Sequence, residues 1–287
     1  MPELPEVETI RRDLSKALLQ KRIASIEVKK PRLVRNSVVQ FKKLLVRKSF
    51  TAVDRRGKLL IFSISDKKNF LLIHLKMTGQ LIYRYDHKTL AGGHHLTTAD
   101  IAVPHKFTHI IFSFSDRSKL YFNDMRLFGY MHVVNLAQKD AAVATYGPEP
   151  LDPKFTLVQF KNVFARSKRT LKAVLMDQTL IAGIGNIYAD EIAFDSHIRP
   201  HRPVTKLSEQ DLKNLFASTK KVLKKAVLHR GTSFSDYLDG QGGKGTYMDH
   251  LFVYGRDGKK CKRCKKGIIG KDRHAGRGTH FCPVCQK

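Results

Sequence analysis

Apolar residues at Val7, Ile10, Leu14 and Leu18 recur every three or four positions, the spacing of one face of a helix. Pro2 and Pro5 stand where such a helix would start, and there a missing N–H costs nothing. Glu3 and Glu6, three apart, can share a face near that start. The pattern then changes. Segments 22–28, 58–64, 69–75, 109–114 and 119–123 are rich in β-branched and aromatic residues without helical spacing, which predicts a sandwich or a barrel. Gly147-Pro148-Glu149-Pro150 breaks the chain and marks the best domain boundary. Beyond it the pattern is helical. Ser208 with Asp211 has the form of a capping box, and Leu212, Leu215, Phe216, Val222 and Leu223 give the next helix an apolar face. Four glycines (Gly240, Gly242, Gly243, Gly245) predict a mobile loop over 235–247.

A chain of 287 residues, 42% of them hydrophobic, can bury a substantial core and suggests two domains. Lysine and arginine total 53 against 25 acidic residues, a formal charge of +28. That excess points to a polyanionic partner, because neutralising phosphates releases counterions. Charge alone does not separate nucleic-acid enzymes from ribosomal or membrane-surface proteins. No apolar run approaches the roughly 18 residues of a membrane span. Glu3, Glu6 and Glu8 stand where a secretory signal would be basic, so a soluble cytoplasmic protein is expected.

All four cysteines fall in the last 27 residues, as Cys261-x-x-Cys264 and Cys282-x-x-Cys285 with 17 residues between the pairs. That spacing predicts a structural four-thiolate zinc site on a hairpin. Two disulfides are the alternative, but nothing else suggests an oxidising compartment. The segment from Arg256 to Lys287 carries eleven Lys/Arg and two Asp, a basic hairpin.

The N-terminus offers a nucleophile. With Met1 removed, Pro2 becomes a secondary amine, and an α-amino group titrating near about 8 keeps a neutral fraction at physiological pH. Such amines attack aldehyde-like sugar carbons and form iminium intermediates, and a helix start beneath disfavours the protonated amine. On residue chemistry alone, a proline that merely starts a helix is the simpler reading.

The opening Met1-Pro2-Glu3-Leu4-Pro5-Glu6-Val7-Glu8-Thr9 resembles the N-terminus of the bacterial formamidopyrimidine-DNA glycosylases. Four further blocks resemble that family in the same order: Gly57-Lys58-Leu59-Leu60; Asn123-Asp124-Met125-Arg126-Leu127-Phe128-Gly129; Asp177-Gln178 through Gly183-Ile184-Gly185-Asn186-Ile187-Tyr188; and Ala275-Gly276-Arg277-Gly278-Thr279-His280-Phe281-Cys282. The similarity runs from end to end. It implies an α+β chain: an N-terminal helix with a β-sandwich over 1–139, a linker over 140–152, a helix–two-turn–helix domain over 153–250 and a zinc-finger β-hairpin over 251–287.

The resemblance also implies roles. Pro2 would attack C1′ of a damaged nucleotide, Glu3 would act as general acid/base, and Glu6 would orient the site. Lys58 would contact the lesion or its phosphate, and Arg277 the backbone beside it. Met77, Arg126 and Phe128 would fill the hole left by the flipped base, work suited to a flexible apolar chain, a planar guanidinium and an aromatic ring. His74 would join the DNA-binding set. Asn186 would hold phosphate at a hairpin whose Gly183-Ile184-Gly185 lacks the third glycine of a dinucleotide loop. One structural Zn2+ on Cys261, Cys264, Cys282 and Cys285 leaves no open position to activate water. The partner would be damaged double-stranded DNA, bound by a monomer.

Two departures stand out. The chain is longer than typical members near residues 87–104, which is read as a surface loop with no function for His94-His95. Phe107 stands where the family often has a histidine that contacts DNA, leaving His105 or His109 as substitutes. Two rivals remain: a relative resembling endonuclease VIII, which prefers oxidised pyrimidines, and a DNA-binding protein that has lost catalysis.

Overall fold

The structure is a computed structural model of the chain, and it describes residues 1–86, 88–93, 102–165, 167–232 and 247–287. Contacts divide the chain into two compact units. One comprises Met1–Ala144 and His229–Thr246, the other Thr145–Leu228 and Tyr247–Lys287.

The first unit is a β-sandwich with a helix at its start. Helix α1 (Leu4–Leu18) buries Val7, Ile10, Leu14 and Leu18, the stripe its periodicity predicts. One sheet has the order β1 (Ile23–Val28), β7 (Thr108–Phe114), β8 (Lys119–Asp124), β5 (Gly79–Tyr85), β6 (Lys88–Gly93). The other runs β2 (Phe50–Arg56), β3 (Leu59–Ile64), β4 (Asn69–His74), β9 (Tyr130–Asn135), and neighbours in both are antiparallel. Leu60, Phe62, Leu71 and Ile73 of one sheet share a core with Leu81, Tyr83, Ile110, Phe112 and Phe122 of the other. Helices α2 (Val38–Leu45) and α3 (Leu136–Ala144) also belong to the unit.

All five segments with strand composition are strands. The stretch read as a surface insertion is corrected in part: Lys88–Gly93 is β6, paired along β5. Its Ala91 packs with Ile82, Val103, Ile111 and Tyr121, which draws the segment into the sheet. His94-His95 lies outside the described residues. Residues 140–144, read as the start of a linker, end helix α3.

The second unit is helical: α4 (Leu157–Ala165), α5 (Leu171–Leu175), α6 (Asn186–Asp195) and α7 (Glu209–Leu228). The capping box before α7 is present, with the Ser208 N–H donating to Asp211 at 2.9 Å and the Asp211 N–H to the Ser208 hydroxyl at 3.1 Å. The unit ends in the antiparallel hairpin β10 (Gly270–His274) and β11 (Arg277–Phe281). The glycine-rich loop predicted over 235–247 falls outside the described residues except at Tyr247, which is buried. No helix among the described residues is long and apolar enough to cross a membrane.

Candidate active site and nucleic-acid interface

In the first unit, the start of α1 gathers the expected reactive groups. Pro2 and Glu3 are buried, and Glu6 is fully so. Glu3 is the N-cap residue, and its N–H donates to Glu6 Oε2 at 2.8 Å, one arm of a capping box. Lys58, in the turn between β2 and β3, is only 4% exposed. Burial pulls the N-terminal ammonium below its usual range, Glu3 and Glu6 push it up, and Lys58 pulls it down. The amine, both carboxylates and Lys58 thus share one electrostatic environment. With Met1 in place the amine belongs to Met1, and the Pro2 nitrogen is an amide.

Glu6 has partners that the sequence did not reveal. Its Oε1 accepts the Thr232 N–H at 2.7 Å and the Thr232 hydroxyl at 3.2 Å.

His74 ends β4 beside this cluster. Its Nδ1 accepts the Lys76 N–H at 2.9 Å. Burial first, then Lys76, Lys58 and Arg35, pushes the imidazole down to about 3, so it is neutral at pH 7. The Arg35 guanidinium lies 3.5 Å from the centre of the Tyr130 ring, which packs near His74.

The three expected hole-filling side chains come together on two loops of the same unit. Met77 is 37% and Phe128 51% exposed, so both are available at the surface. Arg126 Nη1 lies 3.1 Å from the Met77 sulfur, and its guanidinium sits 4.7 Å from the Phe128 ring centre. Asp124, fully buried, holds the loop that presents them. It accepts the Thr78 hydroxyl, the Arg126 N–H at 3.2 Å and the Gly129 N–H at 2.7 Å. His109 is buried and donates to the Asp124 carbonyl at 3.0 Å, an internal role. His105 accepts the Phe107 N–H at 3.1 Å and lies 3.1 Å from the Asn123 amide. His109 is thus buried against the loop, whereas His105 is half-buried.

The second unit carries the remaining candidates. Asn186 opens α6 after the hairpin Gly183-Ile184-Gly185, which Gln178 closes: it accepts the Gly183 N–H at 2.9 Å and donates to the Ile184 carbonyl at 2.7 Å. Arg277 is exposed at the start of β11, opposite His274. The same strand is anchored by Lys172 of α5, which donates to the Gly278 carbonyl and the Thr279 hydroxyl, each at 2.9 Å. Glu191 of α6 accepts the N–H groups of Phe252, Val253 and Tyr254 at 2.9 Å, tying down the approach to the hairpin.

Cys261, Cys264, Cys282 and Cys285 are free thiols whose sulfurs all lie within 4.8 Å of one another. The Cys261–Cys285 and Cys264–Cys282 separations are 3.7 and 3.8 Å. A zinc ion with Zn–S bonds of about 2.3 Å spaces tetrahedral sulfurs roughly 3.8 Å apart, so the set fits that ion. Backbone N–H groups of Arg263, Gly267 and Cys285 donate to three of the sulfurs at 3.3–3.4 Å, as a thiolate cluster requires.

Residues 1–131 match the family model for the formamidopyrimidine-DNA glycosylase N-terminal domain, and residues 146–237 the model for its H2TH domain. A formamidopyrimidine-DNA glycosylase of Carboxydothermus hydrogenoformans is 42% identical, with all of both chains covered. One from Listeria innocua is 38% identical, again over both full lengths. Among solved structures, the Lactococcus lactis Fpg in complex with DNA containing an abasic site matches with a TM-score of 0.86 at 36% identity, covering 99% of each chain. The same protein in complex with Fapy-dG DNA matches with a TM-score of 0.85 at 36% identity, covering 99% of this chain and 100% of that one. The chain belongs to the formamidopyrimidine-DNA glycosylase family.

Proposed function

We propose that this protein excises oxidised purines, 8-oxoguanine and formamidopyrimidines, from duplex DNA and then cleaves the strand at the resulting abasic site, with the Pro2 amine as nucleophile. The observation that carries this reading is the grouping of buried Glu3, Glu6 and Lys58 around the N-terminal amine in a chain that belongs to the family.

Removal of Met1 moves the amine to Pro2. Its nitrogen lone pair forms a bond to C1′ while the bond from C1′ to the purine breaks, its electron pair leaving with the base. The departing purine anion takes a proton from water. Glu3 protonates the sugar ring oxygen and takes up the proton of the Pro2 nitrogen, so the ring opens to an iminium and the carboxyl is left protonated. A proton lost from C2′ expels the 3′ phosphate, and a second elimination expels the 5′ phosphate. Hydrolysis of the iminium then frees Pro2, and a one-nucleotide gap remains.

The target base must leave the stack first. Met77, Arg126 and Phe128 are suited to fill the hole, brought together as they are from two loops that Asp124 braces. Lys58, the neutral His74 and Asn186 would bind phosphates, and Arg277 the backbone beside the lesion. The four cysteines would hold one structural zinc ion, which fixes the hairpin that presents Arg277. The protein would act as a cytoplasmic monomer. Initial rates on duplexes containing 8-oxoguanine or thymine glycol test the substrate class: faster excision of 8-oxoguanine is expected, and a clear preference for thymine glycol contradicts it.

A further inference from the structure

Helix α1 grips residues 230–232 at two points two turns apart. Asp13 Oδ2 accepts from Arg230 at 2.6 Å. Two turns back along the helix, Glu6 takes both the N–H and the hydroxyl of Thr232 on Oε1, while its Oε2 holds the Glu3 N–H. Glu6 is fully buried and Thr232 8% exposed, so water does not substitute readily for a lost donor. Gly231 makes the contact sterically possible. Its φ is +81°, and a Cβ there would lie 2.4 Å from Glu6 Oε1. Any other residue would be strained in its backbone and would displace the carboxylate.

We propose that Thr232 is a positioning residue for base excision. Acting through Glu6, it fixes the backbone nitrogen of Glu3, and with it the placement of the Pro2 amine and the Glu3 carboxyl; Gly231 is the glycine this contact demands. The inference rests on the reading of Pro2 and Glu3 given above. Thr232 reaches the reacting atoms only through Glu6, so its loss should slow the chemical step and leave DNA binding alone. Small misplacements of reacting groups act on kcat in this way.

The test uses the full-length protein with Met1 removed, as wild type and as Thr232→Ser, Thr232→Val and Gly231→Ala. Excision of 8-oxoguanine gives kcat and KM, and a duplex with a tetrahydrofuran abasic analogue gives Kd. Thr232→Val should lower kcat roughly tenfold, the value of one hydrogen bond to a charged acceptor, with KM and Kd within about twofold of wild type. Thr232→Ser should restore most of that loss, and Gly231→Ala should lower kcat by roughly a hundredfold. Wild-type kcat in Thr232→Val, a Thr232→Ser variant as slow as Thr232→Val, or a loss confined to KM would overturn the inference. If Gly231→Ala does not fold, the Thr232 pair decides. Borohydride trapping separates the two levels. Wild type that forms no covalent adduct defeats the Pro2 reading and this inference together, whereas normal trapping and turnover in both wild type and Thr232→Val defeat only the role of Thr232.

Discussion

The Lys172 ammonium lies 2.7 Å from an Asp190 carboxylate oxygen, and both side chains are fully buried. The other Asp190 oxygen accepts the His280 N–H at 2.9 Å and pairs with the His280 ring at 3.1 Å. With its bonds to Gly278 and Thr279, Lys172 thus ties α5 and α6 to the strand that begins with Arg277. Removing one partner leaves an uncompensated buried charge, which costs about 3–5 kcal/mol. Lys172→Met should lower unfolding stability by that order in urea titrations and slow strand cleavage as well. A Lys172→Met/Asp190→Leu double variant should lose less than the sum of the two singles.

His74 gives a pH dependence with a definite sign. Its imidazole titrates near 3 in the folded protein, against a usual value of 6.5. A depressed histidine favours the neutral folded state, so its contribution is fully present above pH 6.5 and declines as the pH falls from there toward 3. At pH 5 the unfolded chain takes up the proton and the folded one does not, a loss of about 2 kcal/mol relative to pH 7.5. His74→Gln should flatten the fall in stability between pH 7.5 and 5, measured by chemical denaturation. An unchanged pH dependence would show that His74 is not held neutral.

The four-cysteine cluster predicts a metal dependence. Purified protein should contain one zinc per chain. Cys264→Ser should lower both zinc content and DNA affinity by collapse of the hairpin, and chelation should do the same. Full affinity and an unchanged melting temperature in metal-free Cys264→Ser protein would contradict a structural zinc.

The sequence was most legible where structure depends on near neighbours. The α1 stripe, the Ser208–Asp211 cap and the paired C-x-x-C turns are local patterns, and each is present as read. Strands β2, β5, β6 and β9 are not marked by the sequence pattern. β2 carries Asp54, Arg55 and Arg56, which read as solvated charge, yet Arg55 is drawn inward by Glu8 at 2.9 Å. β6 ends in Gly92-Gly93, which reads as a breaker. Here it is a close approach instead, because a Cβ on Gly93 would lie 2.3 Å from the Gly79 carbonyl. The supports of the candidate site were hidden for a different reason. Thr232 lies 226 positions from Glu6, and Thr78 lies 46 from Asp124. No spacing rule joins such pairs. The reactive residues were found through the family's motifs, since Pro2 and Lys58 taken singly are an ordinary helix starter and an ordinary lysine.

The central claim, that Pro2 becomes the attacking amine, is tested most directly by borohydride trapping on 8-oxoguanine DNA. The processed enzyme should give a covalent protein–DNA adduct whose linkage maps by mass spectrometry to the Pro2 nitrogen. Protein that retains Met1 should give no adduct at Pro2, and Pro2→Gly should trap less. Glu3→Gln should fail to excise the base. Absence of an adduct from processed enzyme that binds the duplex normally, or an adduct on a lysine, would contradict the account.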